Sequence, residues 1–186
     1  MDLETAIRDR RSVRQFTAEP VGDEVLRPLI EAATLAPSAM NEQPWLFAVV
    51  RDKALLERVS HGGKAATLAM MEAAGAPRER LEKLKSPAYD ILYHAPVLIV
   101  IASANAGPWA AVNCGLAAQN LMLAARAAGL GTCWIGQAQA WVSSAEGKAA
   151  LGLPADCVPV GAIILGYTAA FPPLVPRKPA EVKWIG

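Results

Sequence analysis

The sequence predicts a mixed domain in which strands alternate with helices, either α/β or α+β. Three stretches predict it. "APVLIVIAS" (Ala95–Ser103) and "GAIILGY" (Gly161–Tyr167) are apolar almost throughout, as strands covered on both faces are. Between them lies "AAVNCGLAAQNLMLAARAAGLG", too long for a strand and interrupted by Asn113, Gln119, Asn120 and Arg126. Those polar breaks make it a buried helix rather than a membrane span.

Taken in order, residues 2–9 read as a short helix with Asp2 as its cap. A second helix covers 23–35, with Val25, Leu29, Ile30 and Ala33 on one face and Pro28 awkwardly placed in its early turns. "LFAVV" (Leu46–Val50) suits a buried strand, and "DKALLERVS" returns to helix. Residues 65–85, rich in Ala, Glu, Lys and Arg, are helical by propensity, break near Gly75–Pro77 and suit a mobile cap. The long apolar helix occupies 109–128 and ends at Gly129. "GTCWIG" is a short strand or strand-like loop, and Ser143 and Glu146 have capping-box spacing for another helix. "CVPVGAIILGY" is the last strand. The tail, 168–186, carries four prolines and is expected to run as an extended arm of a single domain spanning 1–186.

Composition narrows the function. The 186 residues are 53% hydrophobic and 19% charged, with a formal net charge of +1. Near-neutrality argues against a nucleic-acid surface, which wants a broad basic face. The apolar excess suits surface buried against a second copy of the chain. Cys114, Cys133 and Cys157 are far apart with no C-x-x-C pair, which suits free thiols in a reducing compartment. The polar start "MDLETAIRDR" does not resemble a signal peptide, so a cytoplasmic protein without a membrane anchor is expected. "GLGTCW" lacks the third glycine of a dinucleotide fingerprint, "HGGKA" is not a phosphate loop, and no G-x-S-x-G elbow occurs. His61 and His94 are the only histidines and neither has metal-ligand spacing, so no metal is expected. A chain this poor in acid–base groups either binds without reacting or takes its chemistry from a cofactor.

Against that background, "RDRRSVRQF" (Arg8–Phe16) concentrates four arginines. Arg10, Arg11, Ser12 and Arg14 place three guanidinium forks and a hydroxyl together, a donor set matched to phosphate oxygens. The competing reading is that arginines after a short helix offset its dipole. In "APSAMNEQPW" (Ala36–Trp45), Pro37 and Pro44 stiffen a loop presenting Ser38, Asn41 and Gln43. In "GLGTCWIG" the glycines let backbone N–H groups approach a flat ligand.

In this order, together with "YHAPVLIVIA" and the Pro/Arg tail, these stretches resemble the FMN-dependent nitroreductase family over nearly the whole chain. The resemblance implies an α+β fold, a three-layer α-β-α sandwich with a mostly antiparallel central sheet. It also implies an intertwined homodimer with two FMN sites at its interface. By the same resemblance Arg10, Arg11 and Ser12 are phosphate and ribityl ligands, and Arg14 is the cation beside the pyrimidine end of the flavin. Pro37, Ser38, Ala39 and Asn41 match the loop that covers the flavin from the partner subunit. Trp134, Ile135 and Gly136 match the segment whose backbone meets the hydride-accepting edge. Arg177 matches a late phosphate-binding arginine, with Lys178 as a neighbouring candidate, and Asn113 stands where an acidic residue is expected. The implied activity is a ping-pong hydride transfer from NAD(P)H through FMN to a nitroaromatic, quinone or similar small acceptor, with no catalytic side chain. Two rivals remain: a same-fold flavoenzyme of specialised chemistry (flavin-consuming, dehalogenating or dehydrogenating), or a non-catalytic flavin-binding protein.

Overall fold

Asp2 starts the first helix by accepting the Thr5 N–H at 2.9 Å in a computed structural model that describes residues 1–186. That helix, α1 (Leu3–Asp9), is followed by α2 (Asp23–Thr34). Pro28 sits on the exposed side of α2, so the helix continues past it at the loss of one bond to the Glu24 carbonyl. Next come β1 (Trp45–Val50), α3 (Lys53–Ala73) and α4 (Arg78–Lys85). Then follow β2 (Val97–Ser103), α5 (Ala110–Ala127) and β3 (Leu130–Trp134). The last elements are α6 (Gln139–Val142), α7 (Ala145–Ala150) and β4 (Val158–Tyr167).

The four strands form one sheet in the order β1-β2-β4-β3, and every neighbouring pair is antiparallel. Helices cover both faces. On one, Ile99, Ile101, Ile163 and Leu165 pack with Leu29 and Ala33 of α2 and with Cys114, Ala117 and Leu121 of α5. On the other, Leu98, Val100, Ala162 and Ile164 pack with Val59 of α3 and Trp141 and Val142 of α6. Alternate residues of β2 and β4 therefore enter opposite layers, which is why both strands are apolar at consecutive positions. Each such fully buried Ile or Leu contributes roughly 1.5–3 kcal/mol. The antiparallel pairing decides between the two classes left open by periodicity: the fold is α+β, a three-layer α-β-α sandwich.

Three details differ from expectation. The cap of α7 is Ser144, whose Oγ accepts the Gly147 N–H at 3.0 Å, and not Ser143. Glu146 makes no capping box but pairs with Arg58 at 3.1 Å. The two predicted helical stretches after β1 merge into α3, which runs unbroken through Gly62 and Gly63. Those glycines serve close approach: an added Cβ would fall 2.0 Å from the Trp141 ring at Gly62 and 2.7 Å from the Gln137 carbonyl at Gly63. The helix breaks at Gly75 (φ 65°), within the Gly75–Pro77 stretch where the sequence predicts it.

Past Tyr167 the chain forms no helix or strand. Phe171 lies against Arg126, whose guanidinium carbon is 3.9 Å from the ring centre, and the following residues are exposed. No helix is long and apolar enough to cross a membrane.

Candidate functional site

The arginine segment docks on the free edge of β3. Val13 donates its N–H to the Thr132 carbonyl at 2.9 Å, and Ser12 pairs in parallel with Thr132. Arg10–Arg14 thus runs alongside Leu130–Trp134. Gly131 permits the approach, since a Cβ there would lie 2.7 to 2.9 Å from the Val13 side chain. Neither Arg10 nor Arg14 has an acidic partner. Arg11 behaves otherwise. Its Nη1 donates to the carbonyls of Arg8 at 2.7 Å and Arg10 at 2.6 Å, and its Nε to that of Pro173 at 3.3 Å. In this chain Arg11 closes the C-terminal end of α1 and ties down the start of the tail.

The segment after β3 lies on the same edge. Trp134 is partly exposed and lays its indole over Gly161 of β4, where a Cβ would meet the ring at 3.2 Å. Ile135 is buried and donates its N–H to the Ala162 carbonyl at 2.7 Å. Gly136 opens a short 3-10 turn, is exposed, and has nothing within 4 Å of where its Cβ would be. The structure therefore brings Arg10, Ser12, Arg14 and Trp134–Gly136 together, with bare backbone beside two cations that have no acidic partner.

The loop Pro37–Asn41 lies elsewhere. Met40 (φ 52°) and Asn41 (φ 55°) are left-handed and exposed. Ser38 Oγ accepts the Gln43 N–H at 2.9 Å, and Gln43 Nε2 donates to Asn41 Oδ1 at 3.1 Å. Buried Asn113 on α5 accepts the Ala39 N–H at 3.0 Å, so its amide supplies an acceptor where a carboxylate was expected. This loop leads into β1, at the opposite edge of the sheet from β3. Three interstrand spacings, about 14 Å, separate the two edges. One chain does not bring its loop to its own arginines. Arg177 and Lys178 stand in the exposed tail with no side-chain partner.

Residues that the sequence did not flag also converge here. Tyr89 and Tyr93, in the segment before β2, reach Gln137 and Arg14 respectively. Their four-residue spacing imitates one face of a helix, and nothing in the local sequence marks them. The far side of the same segment, with residues 18–21 and the start of α3, encloses a separate cavity of about 540 Å³ that contains none of the predicted site residues.

An apolar stripe remains uncovered. Trp109 at the N-cap of α5 and Val112 and Leu116 along it are exposed, as are Leu35 just before the Asn113-anchored loop and Met40 within it, Met40 at 93%.

A three-layer sandwich with a cationic, glycine-lined edge has the makings of a protein that holds a phosphorylated, flat cofactor. Comparison with known proteins is specific: the Nitroreductase family signature matches residues 7–167, and the chain belongs to that family, a family of oxidoreductases. A relative from Methanothermobacter thermautotrophicus, provisionally named NADH dehydrogenase/NAD(P)H nitroreductase, is 30% identical over 92% of this chain and 80% of its own length. A Bacteroides fragilis nitroreductase with bound FMN superimposes with a TM-score of 0.85 at 28% identity, covering 100% of both chains. A Desulfitobacterium hafniense nitroreductase with bound FMN gives 0.82 at 30% identity, covering 98% of this chain and 100% of its own.

Proposed function

We propose that this protein is an FMN-dependent oxidoreductase that uses NAD(P)H to reduce nitroaromatics, quinones or similar small acceptors, working as a homodimer. The observation that carries the reading is the juxtaposition of Arg10, Ser12 and Arg14 with the open Trp134–Gly136 segment along β3. The donor set fits the cofactor: two guanidinium groups without acidic partners and a hydroxyl suit a phosphate and an electron-rich ring edge, and exposed glycine backbone suits a flat ring. FMN, when bound, supplies the hydride chemistry, accepting from NAD(P)H and then donating to the second substrate.

The chain's own residues do the rest. Arg10 and Ser12 hold the phosphate and ribityl end, and Arg177 of the tail is assigned to the same phosphate, with Lys178 beside it. Arg11 keeps α1 and the tail in place behind them. Arg14 sets a positive charge beside the pyrimidine end, where reduction places negative charge. Trp134, Ile135 and Gly136 present backbone to the reactive edge. Pro37, Ser38, Ala39 and Asn41 cover the site of the other subunit and exclude water. The sheet-wide separation of loop and arginines within one chain, and the bare stripe Trp109–Val112–Leu116, both support completion by a second copy.

The test is spectroscopic. Purified protein is expected to show flavin absorption that NAD(P)H bleaches under anaerobic conditions and a quinone restores. Protein without flavin absorption, and without FMN uptake on titration, refutes the proposal; flavin that never bleaches leaves a flavin-binding protein without turnover.

A further inference from the structure

The turn before β2 is held in an uncommon conformation. Tyr93 (φ 54°) and His94 (φ 56°) are consecutive left-handed residues, which side-chain-bearing residues adopt only when their surroundings impose it. Asp90 imposes it. Its Oδ1 accepts the Leu92 N–H at 2.8 Å and the Ser60 hydroxyl at 2.6 Å, and its Oδ2 accepts the His94 N–H at 2.7 Å. The Tyr93 N–H closes the turn on the Asp90 carbonyl at 3.2 Å. Ser60 belongs to α3, so the turn is fixed to a long helix rather than floating in a loop.

The clamped turn aims Tyr93 at Arg14. The guanidinium carbon lies 5.8 Å from the centre of the Tyr93 ring, within cation–π range. Tyr89 meets Tyr93 edge to face, with centroids 6.4 Å apart and planes at 89°. The Tyr89 hydroxyl donates to Gln137 Oε1 at 3.0 Å, and Gln137 directly follows Gly136. Burial first, and then the neighbouring Tyr93, push the Tyr89 phenol up to about 12, so it stays a donor across the physiological range. One aromatic pair therefore joins the Arg14 cation to the end of the Trp134–Gly136 segment. Arg14 has no carboxylate to hold it, and a long exposed side chain needs some partner to occupy one position.

We infer that Tyr93 is a positioning residue, whose ring face holds the Arg14 guanidinium at the pyrimidine edge and so raises the potential of the bound flavin. This rests on the placement of Arg14 proposed above. The role assigned to Tyr93 runs through Arg14, the cation over its ring.

The experiment compares FMN-loaded wild type with Arg14→Gln, Tyr93→Phe, Tyr93→Asn and the double variant Arg14→Gln/Tyr93→Asn. Asn is chosen because it tolerates left-handed φ, and Tyr93→Gly, which accepts the same φ, repeats the comparison with a second residue. The readouts are the two-electron potential by spectroelectrochemistry, the FMN Kd of apo-protein, and the apo-protein melting curve. Arg14→Gln is expected to shift the potential negative. Tyr93→Asn is expected to shift it the same way by a smaller step, and Tyr93→Phe to coincide with wild type because the ring face is kept. The double variant is expected to match Arg14→Gln alone, since Tyr93 has nothing left to position. A negative shift in Arg14→Gln with none in Tyr93→Asn and Tyr93→Gly overturns the Tyr93 inference and leaves Arg14 standing. Additive shifts in the double variant overturn it as well. An Arg14→Gln protein at the wild-type potential overturns the Arg14 placement, and the Tyr93 inference falls with it.

Discussion

The Asn113 amide oxygen holds the Ala39 N–H at 3.0 Å, tying the central helix to the tip of a loop 74 residues earlier in the chain. Asn113 is almost wholly buried, so the bond is made in a dry place where an unpaired donor is costly. Asn113→Ala should lower stability by about 1–3 kcal/mol. It should also reduce FMN content per chain after gel filtration while the dimer persists. Asn113→Asp, which keeps an acceptor, should lose less flavin than Asn113→Ala. Equal flavin content in Asn113→Ala and wild type would remove the loop from the site.

Arg10, Arg11 and Ser12 should separate by assay. Arg10→Ala and Ser12→Ala are expected to raise the FMN Kd about tenfold to a hundredfold, the loss of a charge-assisted hydrogen bond of about 1.5–3 kcal/mol, with melting curves little changed. Arg11→Ala should do the reverse. Its donors serve the carbonyls of Arg8, Arg10 and Pro173, so about 1 kcal/mol of stability should go while FMN affinity changes less. Denaturant titration beside FMN titration reads both quantities on the same preparations.

Gly131 offers a steric test with no ligand atom touched. A methyl group there meets Val13 at under 3 Å and pushes the arginine segment off β3. Gly131→Ala should cost about 1–3 kcal/mol and weaken FMN binding together. Gly131→Ala/Val13→Ala, which reopens the space, should recover part of the flavin affinity. No recovery would mean that the docking of Val13 does not position Arg10–Arg14.

Asp90 sets a pH dependence. Burial opposes its charge, but hydrogen bonds from Ser60, Leu92 and His94 and the adjacent imidazole outweigh burial and hold the carboxyl below the usual carboxylate range. A depressed folded-state value means the stabilisation is fully present above the unfolded-state value, near pH 4, and fades as pH falls through the folded-state one. At pH 7 Asp90→Asn should be less stable than wild type by about 2 kcal/mol. The difference should shrink progressively below about pH 4. A gap that stayed constant between pH 7 and pH 3 would show that the charge of Asp90 is not what holds the turn.

The most legible elements were those whose own residues decide them. β2 and β4 are apolar at consecutive positions because each face has a helical layer, and the run itself says so. The arginine cluster was visible because a near-neutral chain has no general reason to gather cations. By contrast α6 is a four-residue helix, too short to show a period. Ser143 and Ser144 are adjacent hydroxyls that both suit a cap, and only packing of Gly147 against the Trp141 carbonyl selects the second. Arg11 looks the same as Arg10 in sequence, yet only the fold brings its guanidinium to the Pro173 carbonyl. Tyr93 was hidden because its orientation is imposed from Ser60, thirty residues before the Asp90 it grips.

That β1 and β3 are the two outer strands has a genetic consequence. In the proposed dimer each chain carries two half-sites that never serve the same pocket: its arginine edge belongs to one flavin and its Asn113-anchored loop to the other. A chain damaged at Arg10 and a chain damaged in the loop are therefore defective in complementary ways. Unfolded together and refolded as a mixture, they form hybrids in which one pocket inherits both lesions and the other inherits none. With random pairing of equal amounts, about a quarter of all pockets are intact, although neither parent has any. Flavin binding that reappears on mixing two inactive proteins would be the signature of a site shared between chains, and its absence would confine each site to a single chain.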